Sequence, residues 1–249
     1  MIERHIKILE LVNKYKKLEV TKLSELIGVS QVTIRKDLDN LVEKGLLHRE
    51  HGFATIGNSD DLNNRMVINY ERKRKIAMKA AEGIEDGETV MIESGSTCAF
   101  LAEELAKNKK NITIITNSTF ISSYIRDTDC NVIILGGELQ KRSQVTVGAL
   151  TRICARSFCV DKLFVGVDGF TPKFGFTGGD LMRAETVKDM AESANQVIVL
   201  TDSSKFRQQG IVSLFSMKEV DSVFTDQSIE PEINALLEAN SIQVHIAMD

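Results

Sequence analysis

From residue 89 onward, short apolar runs keep returning: "TVMIE", "ITIIT", "NVIILGG", "KLFVGVDG", "QVIVLTD" and "SVFTD". Between them lie longer stretches with helical periodicity, at 72–84, 97–107, 185–194 and 231–240. A strand that reads as one continuous apolar run is buried on both faces, and strand–helix alternation threads such strands in parallel. The pattern predicts a mostly parallel α/β domain over residues 71–249.

Residues 1–57 follow a different rule. Ile2, Ile6, Leu9 and Val12 share one face of a helix that runs to about Lys14. Thr21 is placed to cap a second helix with Leu23, Leu26 and Ile27 inward, and Gly28 stops it. Ser30 is placed to cap a third, with Ile34, Leu38 and Leu41 inward and Gly45 as the stop. "LLHREHGFATI" then reads as two short strands around His51-Gly52. Three helices and a β-ribbon in so short a span predict a winged helix-turn-helix. The polar, turn-rich "GNSDDLNN" leads into a linker placed at 58–70.

Net charge is −4, but residues 1–57 hold ten Lys and Arg against eight Asp and Glu, a local +2 that leaves −6 for the rest. That span also holds His5, His48 and His51, three of the four histidines. A small positive module joined to an acidic body suits a polyanionic partner for the module alone. With Ile34, Leu38 and Leu41 buried, the third helix turns Gln31, Thr33, Arg35 and Lys36 outward. Arg pairs with guanine and Gln with adenine through double hydrogen bonds in the major groove. Ser30 and the free N–H groups of the helix start suit a phosphate. Arg49 and His51 fall on the ribbon, where a wing meets the DNA backbone or minor groove. The partner expected from these residues is double-stranded DNA.

In an open parallel sheet, ligands bind beyond the carboxyl ends of the strands. Those ends carry Glu93-Ser94-Gly95-Ser96-Thr97, Asn117-Ser118, Gly136-Gly137-Glu138, Asp168-Gly169 and Asp202-Ser203-Ser204-Lys205. Gly95 permits close backbone approach, and the hydroxyls and N–H groups of Ser94, Ser96 and Thr97 suit an anion at a helix start. Lys205 and Lys73 supply counter-charge, while Glu93, Asn117 and Asp168 suit hydroxyl groups. A phosphorylated sugar or polyol is the expected ligand.

Cys98, Cys130, Cys154 and Cys159 match neither zinc nor disulfide spacing, so they read as reduced thiols. Cys98, after a Gly-Ser-Thr turn, reads as a packing residue. No apolar run approaches the ~20 residues that span a bilayer, and the acidic residue at position 3 argues against a secretion signal. A cytoplasmic protein without cofactor or metal is expected.

The span "LSELIGVSQVTIRKDLDNLVEKGLLHREHG" resembles the N-terminal signature of the DeoR family of bacterial transcription regulators, most closely at Thr33–Leu38 and His51-Gly52. Phe53 departs from it, standing where many members carry a second glycine, which suggests a stiffened or re-aimed wing. The resemblance continues through "ERKRKIAMKAAEGIEDGETVMIESGST", "ILGGEL", "DKLFVGVDGF" and "VIVLTDSSKF", and "TGGDLMR" is similar to the YciT-like branch. It implies a sensor domain resembling ribose-5-phosphate isomerase, with a phosphorylated carbohydrate effector. Ser94–Thr97 then match its phosphate loop, Lys205 and Lys73 its phosphate-contacting lysines, and Asp168 and Glu185 its sugar-facing carboxylates. The isomerase's acidic cluster is replaced by "GFTPKFG" after Asp168, and its lysine-glycine-glycine by Thr177-Gly178-Gly179. The resemblance thus implies a regulator rather than an enzyme, a repressor acting as a homodimer or homotetramer. The alternatives are a sugar-phosphate isomerase fused to a DNA-binding module and an effector-independent DNA binder.

Overall fold

The computed structural model describes residues 3–43, 47–50, 52–55 and 62–248. The chain divides into two compact units, Met1–Tyr70 and Glu71–Asp249. Gly45, His51 and the first residues of the expected linker lie outside the described residues.

In the first unit α1 (Glu3–Tyr15) passes through β1 (Lys17–Glu19) into α2 (Val20–Ile27) and α3 (Gln31–Glu43). Strands β2 (His48–Glu50) and β3 (Phe53–Thr55) follow, then α4 (Leu62–Val67). Ile8, Leu9, Val12, Leu23, Ile34, Leu38 and Leu41 are wholly buried, so the three helices close on one core. Each such side chain contributes about 1.5–3 kcal/mol on burial. Gly28 closes α2 in the left-handed conformation at φ 77°, which favours glycine.

Four expectations change here. Helix α2 starts at Val20, earlier than a Thr21 cap allows, and the Thr21 hydroxyl donates to Glu19 Oε2 at 3.0 Å instead. Leu26 is 39% exposed, because the buried stripe of α2 runs through Val20 and Leu23 and Leu26 turns past it. The ribbon has a third strand, since β1 pairs antiparallel with β3, Lys17 opposite Thr55. Within the span read as linker, α4 buries Leu62, Met66 and Val67; three apolar residues at helical spacing outweighed the polar run before them.

The second unit begins its αβ alternation with α5 (Tyr70–Ala81), β4 (Thr89–Ile92), α6 (Ser96–Asn108), β5 (Thr113–Thr116), α7 (Thr119–Tyr124) and β6 (Asn131–Ile134). A hairpin, β7 (Glu138–Gln140) and β8 (Val145–Val147), leads to α8 (Ala149–Ala155) and β9 (Val160–Val165). Next come β10 (Gly169–Thr171), β11 (Gly175–Gly178), α9 (Leu181–Ala191), β12 (Ala194–Leu200) and β13 (Val212–Phe215). The unit ends with β14 (Ser222–Asp226), α10 (Pro231–Ala239) and β15 (Gln243–Ala247).

Seven strands form one sheet in the order β15-β14-β12-β9-β4-β5-β6, and every pair is parallel. Met91, Ile115, Leu163, Val165, Val199 and Val223 fill its interior, as their continuous apolar runs require. The chain runs outward from β4 to β6, then returns to lay β9 on the other edge of β4. The order reverses between β4 and β9, and the crevice of an open sheet forms at such a point. A separate sheet, β10-β11-β13, flanks the main one.

Candidate functional site

At the head of α3, Ser30 acts as the cap: its Oγ accepts from Thr33 N at 3.2 Å and lies 2.9 Å from the Thr33 hydroxyl. Gln31, Arg35 and Lys36 are exposed and Thr33 is half-buried, which sets the polar face outward as the spacing requires. Gln31, Arg35, Arg49 and Gly52 line one cleft of about 340 Å³ with Glu19, Val20, Thr21 and Phe53. The Arg49 guanidinium donates to Asp39 Oδ1 at 2.5 Å and so ties the wing to α3. Phe53 takes the Lys17 ammonium over its ring at 4.5 Å, which braces β3 against β1.

Two residues of this unit were passed over in the sequence. Val32 is 62% exposed between Gln31 and Thr33, an apolar tip of the kind that contacts a thymine methyl. Asp37, on the inward side of α3, is buried and accepts from Arg4 at 2.6 and 2.9 Å and lies 3.1 Å from His5 Nε2. Burial pushes its carboxyl upward, but the hydrogen bonds from Arg4 and His5 win and hold it below the usual carboxylate range. The recognition helix is thereby fixed to α1 by a charge as well as by its apolar stripe.

In the second unit the reversal between β4 and β9 brings two backbones together. A Cβ on Gly95 would stand 3.1 Å from Gly166 Cα, 3.1 Å from Glu93 Oε2 and 3.3 Å from Cys98 Sγ. Glu93 bridges the two strands, accepting from Gly166 N at 3.2 Å and from the Ser94 hydroxyl at 2.7 Å. Helix α6 starts at Ser96 with Gly95 at its cap position and no side chain capping it. Ser94, Gly95, Ser96 and Thr97 are all buried around that positive helix end. Asn117, after β5, is wholly buried; its Nδ2 donates to Thr146 O at 3.3 Å, and its Oδ1 has no partner among the described residues.

Asp168 follows β9 and accepts from Gly179 N at 2.8 Å, just before Asp180 caps α9 through Arg183 N at 2.9 Å. Gly136 and Gly137 are exposed, yet they differ. A Cβ on Gly137 would meet Thr151 Oγ1 at 1.9 Å and Val147 O at 2.8 Å, whereas Gly136 has open space. Gly137 thus serves a close approach to α8. Lys205, half-buried, donates to Gln208 Oε1 at 3.1 Å on the short 3-10 helix Ser203–Arg207 that follows β12.

Glu185 and Lys73 lie on helices rather than at strand ends. Glu185 is exposed on α9 and accepts from Arg152 of α8 at 3.1 Å, since Ala184, Thr186 and Val187 take the inward face. Lys73 is buried on α5, and its neighbour Arg72 is the cation that donates to Ser203 Oγ at 3.5 Å and lies 3.9 Å from Asp226. Asp226 ends β14 and anchors the loop of Lys205, accepting from Ser203 N at 2.7 Å and Ser203 Oγ at 2.9 Å. Burial raises its carboxyl, and the hydrogen bonds from Ser203 and Ser228 together with Arg72 bring it below the ordinary range. The final Asp of "SVFTD" was the available signal: it is another carboxylate at a strand's carboxyl end. Cys98 is buried with its thiol 3.7 Å from Phe164 O.

A three-helix head with a polar recognition helix and wing, followed by a parallel sheet with a switch-point crevice, defines a DNA-binding regulator with a small-molecule sensor. Residues 4–60 match the DeoR-like helix-turn-helix domain, and residues 68–227 match the DeoR C terminal sensor domain. The chain belongs to the DeoR family of transcriptional regulators. It is 30% identical over 246 residues to the HTH-type transcriptional regulator GlpR of Haloferax volcanii, covering 97% of this chain and 96% of that protein. It is also 30% identical over 248 residues to the glycerol-3-phosphate regulon repressor of Escherichia coli, covering 98% of each. These relatives are named as regulators, and the regulator reading stands over the enzyme one. A ribose 5-phosphate isomerase A from Methanocaldococcus jannaschii matches 55% of this chain and 54% of its own at 22% identity and TM-score 0.40, too distant for any residue to be carried across. No helix among the described residues is long and apolar enough to cross a membrane.

Proposed function

We propose that this protein is a cytoplasmic repressor of carbohydrate-metabolism genes whose operator affinity is set by a phosphorylated sugar or polyol in the β4/β9 crevice. Gln31, Thr33, Arg35 and Lys36 face the major groove, Ser30 and the head of α3 take a phosphate, and Arg49 and His51 serve the wing. Ser94–Thr97 hold the effector phosphate; Glu93, Asn117 and Asp168 take its hydroxyls; Lys205 supplies counter-charge. The observation that carries this reading is the junction of Gly95, Glu93 and Gly166, which sets an uncapped helix start beside a buried carboxylate and the unsatisfied Asn117 Oδ1. The relatives named for glycerol 3-phosphate regulation support the chemical class. Arg72, which donates to Ser203 Oγ, joins the buried Lys73 as counter-charge from α5.

An operator with two half-sites about 34–36 Å apart requires at least two copies. The effector releases the operator because it binds the DNA-incompetent arrangement more tightly; equal affinity for both shifts nothing. A coupling of about 1–3 kcal/mol changes operator affinity roughly 5–150-fold. A thermal-shift screen of glycerol 3-phosphate and of phosphorylated pentoses, hexoses and hexitols tests the site, and operator titration with each hit tests the response. Absence of stabilisation by every member at high excess overturns the sensor reading, because any ligand selective for the native state must raise its melting temperature. Conversion of ribose 5-phosphate to a ketopentose near ~10 per second overturns the regulator-only reading.

A further inference from the structure

The outer faces of α8 and α9 expose several large apolar side chains. Leu150 and Ile153, three residues apart on α8, are 67% and 63% exposed, and Leu181 at the start of α9 is 60% exposed. Met182 and, on β7, Leu139 are also exposed. Side-chain contacts stitch these elements together. A Cβ on Gly148 would stand 3.7 Å from Met182 Cε, Gln140 Nε2 donates to Asp180 at 3.2 Å, and Arg152 donates to Glu185 at 3.1 Å. Helices α8 and α9 therefore adjoin, with Leu150, Ile153, Leu181 and Met182 exposed on them, while Leu139, next to Gln140 on β7, points to the other face of its strand. A contiguous patch of a few hundred Å² marks an interaction surface.

Charge decides the occupant. Helix α8 presents Arg152 and Arg156; α9 presents Glu185 and Glu192, with Asp189 beneath. In a two-fold contact, each patch meets its own copy and residue i of one faces residue j of the other. Laying α8 of one copy on α9 of the next sets cation against anion twice, around an apolar centre of Leu150, Ile153 and Leu181. Each guanidinium has five donors, so the pairs within one copy leave donors for the other. We propose that this α8/α9 face is where a second copy of the chain docks, which gives the regulator its second DNA-reading head. The proposal rests on the reading that the protein acts as a homo-oligomer.

The test is sedimentation of the full chain across protein concentration, with Leu150→Glu and Ile153→Glu made singly and Met78→Glu as a control. Met78 is an exposed apolar residue on α5. Each patch variant is expected to raise the dissociation constant about 30-fold or more, as for a central interface residue, and the control to leave it unchanged. Both patch positions are solvent-facing in one copy, so melting temperatures at high dilution are expected to match the wild type. Amide exchange on the wild type supplies a readout free of substitutions: residues 149–155 and 181–191 are expected to gain protection as concentration rises. An oligomeric wild type whose patch variants associate equally well, or whose α8 and α9 gain no protection, overturns the surface while oligomerisation stands. A wild type that sediments as a monomer at every concentration overturns both, and assigns the patch to a different protein.

Discussion

Replacing Gly95 with Ala is a steric experiment on the crevice. Gly95 has φ −65° and ψ 152°, which any residue adopts, so backbone strain contributes nothing. The new methyl would stand 3.1 Å from both Gly166 Cα and Glu93 Oε2 and 3.3 Å from Cys98 Sγ. All three are tighter than ordinary van der Waals contact, and two belong to groups that hold β4 to β9. Overfilling a packed site by one carbon costs about 1–3 kcal/mol. Gly→Ala at a compatible backbone position returns about 0.4–1 kcal/mol through the unfolded chain. The net expectation is a second unit destabilised by about 0.5–2 kcal/mol, a melting drop of roughly 1–8 °C at 2–4 °C per kcal/mol. Calorimetry of the full chain measures it. Gly83→Ala is the control: its Cβ would have only Ala80 O, at 3.8 Å. The variant is also expected to lose most effector-induced stabilisation while keeping operator affinity, because the Glu93–Gly166 bridge lengthens. If Gly95→Ala melts at or above the wild-type temperature and answers the effector normally, the close approach of the two strands is not what shapes the crevice.

Arg35→Ala should cost about 1–3 kcal/mol of specific binding, read as the operator-to-random-DNA affinity ratio by anisotropy; an unchanged ratio removes Arg35 from base contact. Lys205→Ala should abolish the effector response and leave effector-free operator affinity intact, and a retained response removes it from the site. Asp37→Asn should destabilise the first unit by about 2–3 kcal/mol, since one partner of a mostly buried ion pair is lost while Arg4 stays partly exposed. Because Asp37 holds its proton less tightly folded than unfolded, its contribution is complete above about pH 4 and is lost as pH falls through the lower folded value. Thermal melts from pH 7 to pH 2 should show a smaller acid-side loss for the first unit in Asp37→Asn than in the wild type.

The central strands were legible because burial on both faces writes them as unbroken apolar runs, and α3 was legible because Ile34, Leu38 and Leu41 keep a strict helical stripe. Strand β1 was not: "KLE" holds a single apolar residue, and its pairing with β3 joins positions far apart in sequence. The β10-β11-β13 sheet was hidden for the same reason, since β13 pairs with β11 across α9 and β12. The five strand-end clusters were read correctly as strand ends, but α-helical neighbours were harder to place. Arg72 and Lys73 differ by one position, about 100° around a helix, and no local pattern said that Arg72 would reach Ser203. The setting of Glu185 was equally hard to read, because an acidic residue in a helix carries no sign of which face its partner, here Arg152, occupies. Strand order, and with it the β4/β9 junction, is written in contacts that no local pattern encodes.

Gly179 and Asp180 are consecutive, and the first is held by Asp168 of the crevice while the second starts α9 and takes the hairpin's Gln140. No spare length of chain separates these duties. A ligand that moves Asp168 acts directly on the base of an eleven-residue lever whose first two side chains are Leu181 and Met182. On the proposed effector site and the proposed α8/α9 docking face, crevice occupancy and association of copies would be two sides of one thermodynamic linkage, and the regulator's own abundance would set how much metabolite empties a promoter.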